Sequence, residues 1–204
     1  MVSSKAFEHT TRLFKRDGIE FQVLVDNLAP LVAESRNEIL TTESGPISMD
    51  TFALDKYHPF ADIMAYIEAV AKKYKEFVSV GSIGTSFEGR DVKYLKIGYP
   101  SPNRKNAMLI DAGIHAREWI APSTAIYAIH QLVTDSSHRP ILEEIDIYII
   151  PNVNPDGYEY SRVYERMWRK TRSGPRGALN CYGTDLNRNF PFKWAVSGAS
   201  TNPC

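Results

Sequence analysis

The sequence has no long hydrophobic run. Nothing in it approaches the roughly 18 consecutive apolar residues of a membrane-spanning helix, so no membrane segment is expected. It has no surplus of either charge. Its 24 Lys and Arg are matched by 24 Asp and Glu, and bulk charge therefore argues for neither nucleic acid nor an anionic membrane as a partner. The opening stretch, MVSSKAFEHTTRLFKRDG, lacks the apolar centre of a secretory signal, so the chain as written carries no export address. Internal repeats and low-complexity tracts are absent. Cysteine is scarce: Cys181 and Cys204 read either as a pair suited to an oxidising compartment or as two free buried thiols of a cytosolic protein. What is there is ordinary. With 204 residues, 43% apolar and 24% charged, the composition excludes disorder and fits one medium domain, alone or with a small extra piece.

Along the chain, strand-like and helix-like segments alternate. Ile19 to Val25 is a short strand candidate, Leu31 to Leu40 a helix with a loosely apolar face, and Thr41 to Pro46 a linker. Ile63, Tyr66, Ile67, Val70 and Tyr74 recur at helical spacing, with Pro59 suited to the first turn. Phe77 to Ile83 and Val92 to Ile97 read as strands around the turn Ser86 to Arg90, where glycine makes a positive φ cheap. Ala107 to Ile114 reads as a buried strand, Pro122 to Val133 as a helix, and Ile145 to Val153 as another buried strand. Nearly continuous apolar runs in a strand, helix, strand order predict a largely parallel α/β sheet covered on both faces. Beyond Pro155 turn dipeptides dominate and the segment reads as loop-rich.

Within that frame one stretch stands out. In DAGIHAREW, Asp111 to Trp119, His115 falls where a strand ends and a helix is about to begin, the place where open α/β sheets build ligand sites. His115 and Glu118, three apart on a turn, can point at one centre, and neutral imidazole with carboxylate suits zinc. Taken alone, the pair reads more readily as a satisfied histidine and a favourable acid in a helix's first turn.

Context decides between them. DAGIHAREWIAP, IPNVNPDGYEYS, MWRKTRS and DLNRNFPFKW, in this order and at these separations, resemble the carboxypeptidase A family of zinc exopeptidases. YHPFADIMAYIEAVAKKY resembles the first helix of the mature enzymes, and LFKRDGIEFQVLVDNL the end of their inhibitory pro-segment. The resemblance implies a three-layer α/β/α fold around a mixed sheet, truncated here. Residues 1–44 would be the tail of the pro-segment and a linker, and residues 45–204 the N-terminal part of the catalytic domain. It further implies a secreted, extracellular zymogen, active after cleavage near Arg36 to Ser44, that uses one Zn2+ to remove the C-terminal residue of peptides or proteins. A monomer is expected because nothing in the sequence suggests otherwise.

Roles follow from the matching positions. His115 and Glu118 match two of the family's three protein zinc ligands, and Asp185 matches the acid that accepts a hydrogen bond from the ligand histidine. Arg169 matches the cation that stabilises the oxyanion. Asn187 and Arg188 match the pair that holds the substrate's terminal carboxylate, and Arg117 a residue that binds the peptide farther from the cut. Without the resemblance, Arg166, Arg169, Lys170 and Arg172 would read as a solvated basic loop. The family also joins the equivalents of Cys181 and Cys204 in a disulfide.

Departures matter as well. The family's third zinc ligand, its substrate-covering tyrosine and its catalytic glutamate match nothing here, because the sequence stops at Cys204 first. His9, His58, His130 and His138 lie outside any matching motif and read as surface or core. The expectation is therefore an incomplete chain with an uncovered sheet edge. The alternatives are an inactive fragment or peptide-binding pseudoenzyme, or a related zinc deacylase, against which the Asn187 and Arg188 clamp and the pro-segment remnant argue.

Overall fold

The computed structural model describes residues 3–40, 46–175, 180–200, 202 and 204. The linker expected over 41–46 falls, except for Pro46, outside them. The chain divides into two compact units, Met1–Glu34 and Ser35–Cys204.

The first unit is built on α1 (Ser4–Arg16), capped by Ser3 Oγ, which accepts from the Ala6 amide at 3.3 Å. Lys15 and Arg16 lie in the last turn, where the helix dipole favours cations, and the Ile19 amide returns to the Phe14 carbonyl at 2.8 Å to close the end. The segment from Ile19 to Val25, expected as a strand, is not one. Leu24 is 83% exposed and its neighbours are half exposed. Alternation favours a strand only where a second strand completes the ladder, and none pairs with it among the described residues. The helix expected over 31–40 is present as α2 (Ala29–Leu40).

The second unit holds the core. Its elements are α3 (Phe60–Lys73), β1 (Val78–Thr85), β2 (Asp91–Ile97), β3 (Asn106–Asp111), α4 (Ile120–Thr134), α5 (Arg139–Glu144), β4 (Ile145–Ile150) and α6 (Pro155–Val163). The sheet order is β1-β2-β4-β3. Ser86 to Arg90 closes a hairpin with Gly89 at φ +85°, and that short connection forces β1 and β2 antiparallel. β2 also runs antiparallel to β4, and only β3 and β4, joined across α4, are parallel. The sheet is therefore mixed, not largely parallel. β3 is also not buried: it forms an edge of the sheet, with Met108 51% and Leu109 64% exposed. An apolar run alone does not distinguish a central strand from an edge strand.

One apolar cluster joins sheet and helices. Tyr66, Ile67 and Val70 of α3, Leu95 and Ile97 of β2, Ile126 and Ile129 of α4, Leu142 of α5 and Ile147 and Ile149 of β4 are all buried in it. Their helical and alternating spacings direct one face of each element inward. α6 corrects the loop-rich expectation beyond Pro155. Proline at the first turn and the Asn154 side chain, accepting from the Gly157 amide at 3.1 Å, start a helix whose Tyr158 and Ser161 are buried.

Candidate metal and substrate site

His115 is reached by a chain that leaves β3 but stays in register with β4. The Ala112 amide donates to the Ile150 carbonyl at 3.0 Å and the Val153 amide to the Ala112 carbonyl at 2.9 Å. A single turn follows, in which the Glu118 amide donates to the His115 carbonyl at 3.2 Å, and α4 begins immediately after it. That turn puts the two side chains on one side. His115 Nδ1 lies 3.0 Å from both Glu118 carboxylate oxygens, and His115 itself is buried while Glu118 remains accessible.

Asp185 meets the other ring nitrogen. Its Oδ1 lies 3.2 Å from His115 Nε2 and also accepts from the Asn187 amide at 3.0 Å, which starts a short 3-10 turn over Leu186–Arg188. Its Oδ2 accepts from Arg169 Nε at 2.8 Å. Burial pushes the Asp185 carboxyl upward, but hydrogen bonding and charge from Arg169, with smaller help from His115 and the Asn187 amide, outweigh it and hold the group below the usual carboxylate range. Arg169 Nη1 lies 3.5 Å from Glu118 Oε1, and the Arg169 carbonyl accepts from the Ala116 amide at 3.0 Å. His115, Glu118, Asp185 and Arg169 thus form one connected network.

The donor chemistry suits a cation. With the ring proton on Nε2 facing Asp185, the Nδ1 lone pair and the Glu118 oxygens are acceptors facing one another, an arrangement that a zinc ion between them satisfies. Among the described residues no group of three or more His, Cys, Asp or Glu could hold a metal ion.

The remaining residues divide. Arg117 is tied to the Arg169 loop, its Nη1 donating to the Met167 carbonyl at 3.3 Å while its own carbonyl accepts from Arg166 at 2.8 Å. Asn187 and Arg188 follow Asp185 on the 3-10 turn but are exposed, and they line an open concavity of about 230 Å³ with Phe190, Lys193 and Trp194. The Arg188 guanidinium donates to the Asn187 carbonyl at 2.8 Å and its amide to the Asp185 carbonyl at 3.0 Å, and among the described residues its guanidinium makes no bond to the side chains of the His115 network. Cys181 and Cys204 are joined, which closes the loop that carries Asp185, Asn187 and Arg188. His58 bonds the Ala53 carbonyl at 2.7 Å, and His130 meets the Tyr66 hydroxyl at 2.9 Å. His138 lies 4.0 Å from Asp135, and His9 is exposed. The bonds of His58, His130 and His138 go to these partners and not to His115.

A family model described as zinc carboxypeptidase matches residues 63–204. The chain belongs to the zinc carboxypeptidase family. Carboxypeptidase B of Astacus astacus is 45% identical over 149 residues, covering 72% of this chain and 49% of that protein. Homo sapiens carboxypeptidase O is 40% identical over 175 residues, 84% of this chain and 46% of that protein. The crystal structure of carboxypeptidase A from Helicoverpa armigera superposes on 100% of this chain and 50% of its own with a TM-score of 0.85 at 31% identity. The chain therefore spans about half the length of the carboxypeptidases it matches.

The basic loop is not a solvated one. Arg166 stacks 3.5 Å from the Trp119 ring centroid, and Arg172 lies 3.6 Å from that of Tyr160 and 4.7 Å from that of Trp168. Sequence reasoning assigned Trp119 and Asn154 no role. The indole of Trp119 donates to buried Ser161 Oγ at 2.8 Å, and Ser161 donates in turn to the Ala116 carbonyl at 2.9 Å, bracing the turn from behind. An unassigned motif, Asn-Pro-Asp-Gly, was the available signal for Asn154.

Proposed function

We propose that this chain carries the metal-binding and carboxylate-recognising part of a zinc metallocarboxypeptidase that hydrolyses the C-terminal peptide bond of peptides and proteins. The observation that carries this reading is the network in which one carboxylate, Asp185, braces both a zinc-donor pair and a guanidinium. His115 Nδ1 and Glu118 hold the metal, and Asp185 keeps the His115 proton on Nε2. Zinc, when bound, polarises the scissile carbonyl and acidifies water. Arg169 sets a fixed positive charge toward the oxygen that becomes negative as that carbonyl turns tetrahedral. Asn187 and Arg188 take the terminal carboxylate, for which a planar guanidinium offers two parallel donors, and Arg117 holds the peptide farther back.

Residues 1–44 serve in this reading as the tail of an inhibitory pro-segment, cleaved near Arg36 to Ser44, and residues 45–204 as the N-terminal part of the catalytic domain. A secreted enzyme fits the Cys181–Cys204 bond, because disulfides persist in oxidising compartments, and the reading takes it as a monomer. Among the described residues His115 Nδ1 and Glu118 are the two donors facing the metal position, and no third joins them. In this reading the 204-residue chain by itself binds zinc weakly, through those two donors.

Calorimetric zinc titration of the 204-residue chain beside His115→Ala tests the metal, with binding of one peptide as its free acid and as its C-terminal amide in parallel. Expected are zinc binding lost in His115→Ala, preference for the free acid, and loss of that preference in Arg188→Ala. Zinc binding that survives His115→Ala, or equal binding of acid and amide, refutes the reading.

A further inference from the structure

The Asn-Pro-Asp-Gly motif places Asn154 at the start of α6, 3% exposed, and its side chain does more than cap the helix. Oδ1 accepts from the Gly157 amide at 3.1 Å, the cap that Ser, Thr or Asp would supply as well. Nδ2 is the distinguishing group. One of its hydrogens goes to the Ile114 carbonyl and the other to the Lys170 carbonyl, each at 3.2 Å. A carboxamide is the only short side chain that offers an acceptor and two donors together, and the reverse amide orientation would set Oδ1 against two carbonyls.

The two carbonyls belong to the two segments of the site. Ile114 immediately precedes His115, and Lys170 immediately follows Arg169. Between these segments the Ala116 amide donates to the Arg169 carbonyl at 3.0 Å, so the carboxamide clamps the same junction from the buried side. Gly157 belongs to the clamp. A Cβ there would stand 2.5 Å from the Lys170 carbonyl oxygen and 2.6 Å from Asn154 Nδ2, so the loop reaches the amide only over a residue without a side chain. Asn152 Oδ1 accepts from the Asn154 amide at 3.0 Å and sets the backbone from which the side chain departs.

We infer that Asn154 is a positioning residue: its carboxamide keeps the turn carrying His115 and Glu118 in register with the loop carrying Arg169, and so sets the oxyanion cation against the metal. The inference rests on the zinc carboxypeptidase reading for what that register is for, but not for the clamp itself. Asn154→Asp keeps size and cap acceptor and turns both donors into acceptors facing carbonyls. Asn154→Ser keeps a cap acceptor and removes both donors without adding charge, which provides a second variant if the first does not fold.

The test is hydrogen exchange on the intact 204-residue chain without metal, resolved at Ala116, at the first amides of α6 and in the β2–β4 ladder. Ala116 protection is expected to fall at least tenfold in either variant, with the ladder and the α6 amides unchanged. Unchanged Ala116 protection, or an equal fall everywhere, overturns the inference and leaves Asn154 a helix cap. Zinc titration of the same variants is expected to show binding weakened about tenfold, in line with other residues that orient metal ligands indirectly. If the parent chain binds zinc without needing His115, the functional reading fails, while the exchange data still decide the clamp.

Discussion

Asp185→Asn is the sharpest single perturbation of the site. The carboxylate divides its oxygens, Oδ1 to His115 Nε2 at 3.2 Å and Oδ2 to Arg169 Nε at 2.8 Å. A carboxamide of the same shape has one acceptor oxygen, so one of these donors is left facing an NH2 group. If His115 loses its acceptor, the tautomer that frees Nδ1 for a metal is no longer enforced. If Arg169 loses its acceptor, the guanidinium turns to Glu118 Oε1, already 3.5 Å away, and competes with the metal for its second ligand. Both routes weaken zinc. Removing such an outer carboxylate lowers metal affinity by 10- to 100-fold, about 1.4–2.7 kcal/mol. Isothermal titration of zinc into the parent chain and Asp185→Asn, with circular dichroism to confirm equal folding, measures the loss. Adding Arg169→Gln to Asp185→Asn should recover part of it, because it removes the competitor for Glu118. Parental zinc affinity in Asp185→Asn, with affinity lost in His115→Ala, would refute the coupling.

Two further predictions concern stability. Asp146 of β4 pairs with Lys96 at 2.8 Å and with buried Lys105 at 2.9 Å. Burial pushes its carboxyl upward, but the two lysines more than offset this and hold it below the usual carboxylate range. A carboxylate depressed by folding contributes fully above its unfolded pKa of about 4, and the contribution fades as pH falls through the lower folded value. Asp146→Asn should thus destabilise by about 1–3 kcal/mol at neutral pH, and the gap in urea midpoints should close in strong acid; a gap equal at both pH values refutes this. Reducing the Cys181–Cys204 bond, which spans 23 residues in sequence, should remove on the order of 3 kcal/mol through loop entropy. The denaturant midpoint should fall in reducing buffer and stay constant in a Cys181→Ser, Cys204→Ser variant, and a midpoint indifferent to reductant sinks the estimate.

What the sequence disclosed, and what it withheld, divides along a physical line. His115 and Glu118 are three residues apart, and a single turn suffices to bring them together, so their pairing was legible from spacing. The helices α3 and α4 were legible because burial of one face imposes its own period. Strand direction was not, since an apolar run reads the same in an edge strand, a central strand, a parallel pair or an antiparallel pair. β3 shows the consequence, with Leu109 64% exposed at the edge of the sheet. The arginines show the same limit from the other side. Arg166 and Arg172 look like solvent-facing charge until Trp119 and Tyr160 arrive from elsewhere in the chain to stack on them. Asn154 lies between these cases. Its cap on α6 is a local signal, readable from Asn-Pro-Asp-Gly, but the two carbonyls it clamps are 40 and 16 residues away, and only the folded chain brings them to one amide. The His115–Glu118 pair was therefore readable because one turn assembles it, Asp185 and Arg169 only through the resemblance of their motifs, and the junction at Asn154 was hidden because its partners are remote in sequence.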